Sequence, residues 1–357
     1  MKTELDAPLA DVTCCQQVAE FHPPAASDAS QLQPGDVLDD RFVITEVISR
    51  SGMALIYKAQ DLQHANTDVA LKVPHMEFES DAGFFTRFQR EEEIGLKLNH
   101  PYVVKFIAVT TPKSRSYIVT EYLRGCTLAH LMEAMSPLLE KDALKIASLL
   151  CEALQYLHDN GVVHRDLKPH NVMIGCDGTI RLLDFGVANA RSLRRVTFAN
   201  FTPAMGTPDY MAPEQVKGKR GDARTDIYGL GVMLYEMLTG RVPFEGDSLL
   251  AIMNAHVLGD PVPLRKLNPA VSPQAEEVVL HAMERDPAKR HQSARALRVE
   301  LDNSAGVPVT GRCERVELVA PLRTKYRAYR VVILALVLPA VVPTAVALWL
   351  WLHPSVH

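Results

Sequence analysis

Apolar and polar residues alternate in short runs over the first third of the chain, which is typical of β-strands. The runs are rich in Val, Ile, Leu and Tyr and are separated by turn-forming segments. They predict strands at residues 41–44, 54–57, 69–73, 103–109 and 117–121. Between the third and fourth runs, helical spacing from Phe84 to Leu98 predicts a helix. It should end near Asn99-His100-Pro101, because proline disfavours helical geometry in the residue before it.

After Gly125 the spacing of apolar residues becomes helical. From Ala143 to Asn160, a stripe of leucine, isoleucine and alanine recurs every three or four residues, and Gly161 is a natural helix end. Residues 172–183 predict a hairpin with Asp177-Gly178 at its turn, and helical segments continue to about residue 302. A strand-rich first part and a helix-rich second part predict an α+β fold of two lobes, with a ligand-binding cleft between them.

The end of the chain carries the longest apolar run. Residues 331–352 form 22 consecutive positions without a charged side chain. As a helix this run would span about 33 Å, enough to cross the hydrocarbon core of a bilayer. A buried soluble helix is the alternative, but the run has no polar face. The run is preceded by Arg323, Lys325, Arg327 and Arg330, and no Lys or Arg follows it.

This distribution of charge predicts a single-pass protein of the cell membrane. By the positive-inside rule, residues before 331 lie in the cytoplasm and residues 353–357 form a short external tail. Residues 304–330 are predicted to be a basic juxtamembrane linker. Residues 1–37 have mixed charges, no long apolar run and no secretory signal, and we interpret them as a disordered N-terminal arm.

Composition narrows the possible partners and the compartment. The net charge is −4, so the basic excess that usually accompanies nucleic-acid binding is missing, and we expect no nucleic-acid partner. Six cysteines show no paired spacing of a zinc site, and most lie in apolar stretches. We therefore expect reduced thiols and a reducing compartment around the main domain.

Candidate chemistry lies in five motifs that follow one another along the two predicted lobes. They are Val69-Ala70-Leu71-Lys72, Glu91, His164-Arg165-Asp166-Leu167-Lys168-Pro169-His170-Asn171, Asp184-Phe185-Gly186 and Ala212-Pro213-Glu214. In this order and spacing, over residues 42–302, the chain resembles the protein kinase family, especially bacterial (eukaryotic-like, Hanks-type) serine/threonine kinases. The resemblance implies a kinase domain at 38–303, with a β-rich N-lobe at 38–123 and an α-rich C-lobe at 124–303.

The resemblance also implies roles for the charged residues. Phosphoryl transfer depends on positioning and charge neutralisation. Lys72 is expected to bind the α/β-phosphates of ATP and Glu91 to aim it, although Glu92 and Glu93 are alternatives for that partner. Asp166 would orient the acceptor hydroxyl, and Lys168 would approach the γ-phosphate. Metal binding is assigned to Asn171 and Asp184, which would hold Mg²⁺, with Mn²⁺ as an alternative.

The phosphate-covering loop departs from the family pattern. Where the family has three glycines, this chain has Ser49, Ser51 and Ala54, and Gly52 alone could keep the tip of the turn. Weaker nucleotide binding or slower turnover is the expected consequence, and a pseudokinase that acts as a membrane-tethered, ATP-binding scaffold is the alternative function. By family position, the ATP-binding residues are Ile48, Ser49, Ser51, Gly52, Ala54, Ile56, Ala70, Lys72, Thr120, Glu121, Leu123 and Met173.

Regulatory and structural residues are carried over in the same way. Arg165 is expected to pair with a phosphate on the activation segment, with Thr197 and Thr202 as candidate acceptors, and Thr207 is expected to contact the catalytic loop. Three further residues are expected to be structural, namely Asp226, which would anchor the catalytic loop, and the ion pair of Glu214 with Arg290.

Together these features predict a membrane-tethered serine/threonine protein kinase. It would transfer the γ-phosphate of ATP to Ser and Thr hydroxyls of protein substrates, in bacterial signalling from the cytoplasmic face of the membrane. The partners that the resemblance implies are ATP, protein substrates and, transiently, a second copy of the chain during activation.

Overall fold

The computed structural model describes residues 31–50, 53–79, 81–184 and 208–317. The strands are β1 Val37–Leu38, β2 Phe42–Arg50, β3 Ala54–Asp61, β4 Thr67–Pro74, β5 Ile118–Glu121, β6 Gly125–Thr127, β7 Val172–Gly175 and β8 Ile180–Leu182. The helices are α1 Met76–Glu79, α2 Ala82–Gly95, α3 Leu128–Met135, α4 Glu140–Asp159, α5 Pro213–Val216, α6 Ala223–Thr239, α7 Leu249–Leu258, α8 Leu264–Leu267, α9 Pro273–Ala282, α10 Ala294–Asp302 and α11 Arg312–Glu317.

An antiparallel sheet in the order β1-β2-β3-β4-β5 forms the N-lobe. Alternate residues of β3 and β4 are buried, so one face of the sheet packs into a core around Phe42, Tyr57 and Leu71. The other face carries the intervening residues. At the edge of this core, Arg41 and Asp61 form a buried ion pair with a 2.7 Å contact between Nη2 and Oδ2.

Helix α2 buries one face, formed by Phe84, Phe88, Glu91 and Gly95. Asp81 caps its N-terminus by accepting hydrogen bonds from the amides of Gly83 and Phe84. The helix ends at Gly95, three residues before the predicted end. A Cβ at Gly95 would lie 2.4 Å from Cδ1 of Phe106, so only glycine allows this close packing of the helix end.

The prediction of a regular strand at 103–109 is wrong. This segment has only isolated bridges, Val103 with Leu182 and Phe106 with Thr120. Its backbone hydrogen bonds go to two partners, because the amide of Val104 donates to Leu182 O and the amide of Ile107 donates to Val119 O. The segment crosses from the β8 strand to the β5 strand and pairs with neither for long enough to form a strand.

Two long helices form the centre of the C-lobe. Helix α4 has one buried stripe, as its helical spacing predicts, and α6 is buried on nearly all sides. The small sheet β6-β7-β8 contains the predicted hairpin and lies where the C-lobe meets the N-lobe. The predicted two-lobed fold, with a β-rich N-lobe and a helical C-lobe, is confirmed.

Two predictions about the environment of the chain have different outcomes. No helix within the described ranges is long and apolar enough to cross a bilayer. The predicted span at 331–352 lies outside those ranges, as do its external tail and residues 318–330 of the linker. Cys151 is buried with a free thiol, but the expectation of reduced cysteines is wrong for Cys126 and Cys176, which are disulfide-bonded.

Candidate active site

One ammonium and two carboxylates meet where the lobes face each other. Lys72 lies on β4 between Leu71 and Val73, which point into the N-lobe core, so its own side chain lies on the opposite face. Lys72 Nζ donates to Glu91 Oε1 at 2.7 Å and to Asp184 Oδ1 at 2.9 Å. Residues 112 positions apart in the sequence are therefore held together by one cation.

Charge and burial act against each other in this cluster. Burial disfavours the charged form of Lys72, but the carboxylates of Asp184 and Glu91 outweigh it and raise the pKa of Lys72 above its ordinary value. The pKa of Glu91 is raised, because its carboxylate is buried. The pKa of Asp184 is lowered, because the ammonium of Lys72 outweighs the effect of burial. Lys72 is a fixed positive charge at neutral pH.

The structure also distinguishes Glu91 from the two glutamates that follow it. Helix α2 directs Phe84, Phe88 and Glu91 toward the interior, and the side chain of Glu91 is only 4% exposed. Glu92 instead accepts a hydrogen bond from Lys113. Of the three consecutive glutamates, Glu91 is therefore the one in contact with Lys72.

A second polar cluster lies on the catalytic loop between α4 and β7. Asp166 Oδ2 accepts hydrogen bonds from Lys168 Nζ at 2.9 Å and from Asn171 Nδ2 at 3.1 Å. Asn171 Nδ2 also donates to the backbone carbonyl of Asp166 at 2.7 Å. The loop is thus closed on itself around one carboxylate, and the short 3₁₀ turn Pro169–Asn171 places the amide there.

Asp226 holds the backbone of this loop from below. Its Oδ2 accepts from the amide of His164 at 2.9 Å, and its Oδ1 accepts from the amide of Arg165 at 2.8 Å. His158 Nε2 is also 2.7 Å from Asp226 Oδ2. Arg165 has a positive φ of 64°, which costs a non-glycine residue about 1–3 kcal/mol unless surrounding contacts enforce it. The hydrogen bonds from the amides of His164 and Arg165 to the buried carboxylate of Asp226 enforce this conformation.

Arg165 contacts the residues that follow the activation segment through both its side chain and its backbone carbonyl. Its Nε donates to the carbonyl of Arg220 at 3.0 Å, and its carbonyl accepts from Gln215 Nε2 at 2.9 Å. Partial burial and the neighbouring Arg220 lower the pKa of Arg165. The two arginines therefore form a locally positive site that an anion would stabilise. The predicted acceptors Thr197 and Thr202 and the predicted contact residue Thr207 lie outside the described residues.

The end of the activation segment is fastened by a buried ion pair. Arg290 Nη1 and Nη2 each lie 2.8 Å from an oxygen of Glu214, in a bidentate arrangement. Thr225 Oγ1 also donates to Glu214 Oε1 at 2.9 Å. Arg290 is 2% exposed, and its Nε donates to the carbonyl of Glu284. The contact joins residues 76 positions apart in the sequence.

The predicted adenine-binding residues lie on strands β3, β4, β5 and β7 and just after β5. Strand pairing places Ile56 opposite Lys72 on β3 and β4, and Ala70 opposite Thr120 on β4 and β5. These residues, with Glu121, Leu123 and Met173, are neither fully buried nor fully exposed, as cleft-lining side chains should be. Ile48 and Ser49 are exposed, Ala54 is buried, and Ser51 and Gly52 lie outside the described residues.

Three contacts of the site were not anticipated from the sequence. His164 Nε2 lies 2.9 Å from the carbonyl of Leu183 and so joins the catalytic loop to the segment that carries Asp184. His158 contacts Asp226, and Gln215 contacts the carbonyl of Arg165. The only sequence signal was the position of His164 inside its motif, because no local pattern marks contacts between distant segments.

Comparisons with known proteins agree with this geometry. The family model described as the protein kinase domain matches residues 42–300. PknB, a serine/threonine-protein kinase of Mycolicibacterium smegmatis, is 37% identical over 268 residues, covering 74% of this chain and 43% of PknB. PrkC of Bacillus subtilis, also a serine/threonine-protein kinase, is 35% identical over 267 residues, covering 75% of this chain and 41% of PrkC.

A solved structure shows the same fold. The crystal structure of Rad53 1-466 in complex with AMP-PNP matches with a TM-score of 0.60 and 25% identity, covering 72% of this chain and 64% of that chain. The chain spans less than half the length of the curated relatives it matches. The match to the family model nevertheless covers most of the chain, and it includes the Lys72 cluster, the catalytic loop and the Glu214–Arg290 pair. The chain therefore belongs to the protein kinase family, and the relatives it matches are bacterial serine/threonine kinases.

Proposed function

We propose that this chain is an active serine/threonine protein kinase, which transfers the γ-phosphate of ATP to Ser and Thr hydroxyls of proteins. One observation carries the proposal: Lys72 contacts both Glu91 and Asp184, so the charges needed to hold a nucleotide are assembled across the two lobes. The groups expected to act on the acceptor are retained as well, because Asp166 accepts hydrogen bonds from Lys168 and Asn171.

The residues present fit a hard divalent cation such as Mg²⁺. Asn171 uses its amide nitrogen to donate to Asp166, which leaves the amide oxygen as its acceptor atom. Asp184 has a second carboxylate oxygen besides the one that contacts Lys72. Oxygen ligands are those that Mg²⁺ prefers, and the bound ion would supply charge neutralisation for the phosphates. Lys72 would bind the α/β-phosphates, and Glu91 orients it.

Asp166 and Lys168 act on the acceptor side of the reaction. The carboxylate of Asp166 would accept a hydrogen bond from the substrate hydroxyl and direct its oxygen at the γ-phosphate. Lys168, which contacts Asp166 Oδ2 at 2.9 Å, is placed to neutralise charge on the transferred group. In kinases that this chain resembles, a lysine here accompanies serine/threonine specificity, which supports that acceptor class.

The test is phosphate transfer by the full-length chain, purified in detergent, with γ-labelled ATP, Mg²⁺ and a generic protein acceptor. Label is expected in phosphoserine or phosphothreonine after acid hydrolysis. Nucleotide binding with no transfer to any acceptor would instead establish the pseudokinase scaffold, which the degenerate loop at Ser49 and Ala54 raises as the alternative.

We also propose that the kinase activates itself by phosphorylating Thr197 or Thr202. The support is the positive site formed by Arg165 and Arg220 beside the catalytic loop. Replacing both threonines by valine is expected to lower activity by about tenfold or more, while Ser192→Ala, on the same segment, should have little effect. Phosphosite mapping checks the result, and an unmodified segment in fully active protein would contradict the proposal.

Transfer between copies would show as a rate of modification that rises with protein concentration.

The third proposal is a membrane tether at residues 331–352, with the kinase domain on the cytoplasmic face. It rests on the uncharged length of that run and on the basic residues before it. We expect the full-length chain to sediment with membranes and to need detergent for release. High salt alone should not release it, because hydrophobic insertion is insensitive to ionic strength. Recovery in the soluble fraction without detergent would rule out the tether.

A further inference from the structure

Two histidines and one glutamate cluster on the C-lobe, away from the active site. His281 lies on α9, His291 precedes α10, and Glu300 lies on α10. One ligand atom from each residue lies within 4.8 Å of the other two. His291 Nε2 is 2.8 Å from Glu300 Oε2, and His281 Nδ1 is 3.5 Å from the same oxygen. The two imidazole rings are in contact, with centroids 3.8 Å apart.

We propose that this cluster is a binding site for a divalent transition metal, with Zn²⁺ as the expected ion. Two imidazoles and a carboxylate form a donor set that Zn²⁺ accepts readily, with water in the fourth position. Tetrahedral coordination at about 2.0–2.1 Å places donor atoms roughly 3.4 Å apart. The observed separations of 2.8 Å and 3.5 Å bracket that value, so small side-chain rotations would complete the site.

The burial of His291 supports a role beyond packing. Its side chain is 1% exposed, and Nε2 lies 2.8 Å from Glu300 Oε2, so the nitrogen that faces the cluster is held inside the protein. A cation at the cluster would take this nitrogen and the carboxylate of Glu300 as ligands. Nδ1, on the other side of the ring, has no hydrogen-bond partner among the described residues, so the contact with Glu300 is the one that orients the imidazole.

The surroundings favour a cation and allow it to enter. The nearby guanidinium of Arg312 pairs with the carboxylates of Glu277 and Glu284, so these three groups together carry one net negative charge. Glu300 adds a third carboxylate. The side chains of Glu300 and His281 are 31% and 22% exposed, which leaves a path from solvent to the ligand atoms.

A bound ion would restrain the segment that holds the end of the activation segment, because the two are joined along the chain. His291 directly follows Arg290, which holds Glu214 at the end of the activation segment. Ligation would also join α9 to α10, which residues 283–293, including the 3₁₀ helix Pro287–Lys289, connect along the chain. The metal would therefore stabilise the C-lobe element that fastens the activation segment, independently of phosphate transfer.

The test is titration of the metal-free full-length chain with ZnCl₂ alone, in excess Mg²⁺ so that hard oxygen sites are saturated. Calorimetry and thermal unfolding give the affinity, the stoichiometry and the shift in Tm. We expect one site, and at a hundredfold excess over Kd a rise in Tm of about 5 °C. His281→Gln and Glu300→Gln should each weaken binding by about tenfold or more.

Both replaced side chains are partly exposed, so the variants should fold, and their far-UV spectra and metal-free Tm check this. His64→Gln removes an imidazole that is 64% exposed in the N-lobe and should leave zinc binding unchanged. The proposal is overturned if the wild type binds no Zn²⁺, or if the two cluster variants bind it as the wild type does.

Discussion

Replacing Asp166 by asparagine is expected to lower the rate of phosphate transfer about 10²–10⁴-fold while leaving ATP affinity nearly unchanged. The substitution keeps the shape of the side chain and removes its charge. Asp166 Oδ2 accepts from both Lys168 and Asn171, so an amide nitrogen at that position would face two donors. The amide oxygen is therefore favoured at the Oδ2 position, and the amide nitrogen, a donor, would face the substrate hydroxyl in place of an acceptor.

ATP affinity is expected to survive because the nucleotide contacts lie elsewhere. Lys72, Glu91 and Asp184 form their own cluster and do not contact Asp166. A large fall in kcat with little change in KM for ATP would therefore separate orientation of the acceptor from binding of the nucleotide. Initial rates with labelled ATP at several concentrations give both constants.

Asp177→Asn is the matched control, because it makes the same chemical change in the turn between β7 and β8. Asp177 accepts hydrogen bonds from the amide and the hydroxyl of Thr179 within that turn, so its loss should leave the rate within about twofold. If Asp166→Asn transferred phosphate at the wild-type rate, the assignment of Asp166 would be wrong.

The parts of the fold that could be predicted are those with a complete local pattern. Helix α4 repeats its apolar stripe over about five turns, and β3 and β4 alternate buried and less buried residues along most of their length, so each carries its own signal. Residues 103–109 have β-branched composition but hydrogen-bond to two different partners, and no local pattern records that division. The end of α2 at Gly95 depends on the ring of Phe106, which is equally invisible in the sequence.

The active site shows the same distinction between motif and contact. Motif order was enough to choose Lys72, Asp166, Asn171 and Asp184 as candidates. The choice of Glu91 needed a family spacing, and only the structure shows Glu92 turned toward Lys113. The bond of His158 to Asp226 and the bond of Gln215 to the carbonyl of Arg165 connect segments at least 50 residues apart, and their residue types are common. Sequence pattern identifies groups that act on substrate better than groups that hold them in place.

Replacing Arg290 by methionine is expected to lower the free energy of unfolding by about 3–5 kcal/mol. The guanidinium is fully buried, and its loss leaves the carboxylate of Glu214 inside the protein with Thr225 as its remaining side-chain donor. Arg290 also donates to the carbonyls of Glu284 and Arg224, which would lose a partner. Glu214→Gln should cost less, because glutamine keeps an oxygen for Arg290 and Thr225.

The pH dependence distinguishes loss of the ion pair from loss of packing. Burial alone would raise the pKa of Glu214, but Arg290 holds it below its ordinary value. A lowered carboxylate pKa contributes stability above the unfolded pKa of about 4.5, and this stability is lost as the pH falls through the folded pKa. In Arg290→Met the buried carboxylate takes up a proton more readily, so the difference from wild type should shrink on acidification. A packing defect would give a difference that does not change with pH.

Denaturant unfolding of the full-length chain in detergent, at pH 7 and near pH 4, measures these differences. Arg285→Met is the matched control, because Arg285 pairs with Asp260 at the surface and its side chain is 46% exposed. Its loss should cost no more than about 1 kcal/mol at either pH. In the double variant Arg290→Met/Glu214→Gln, no charge is left buried without a partner. It should therefore be less destabilised than the sum of the two single variants, and strict additivity would mean that the two side chains do not stabilise each other.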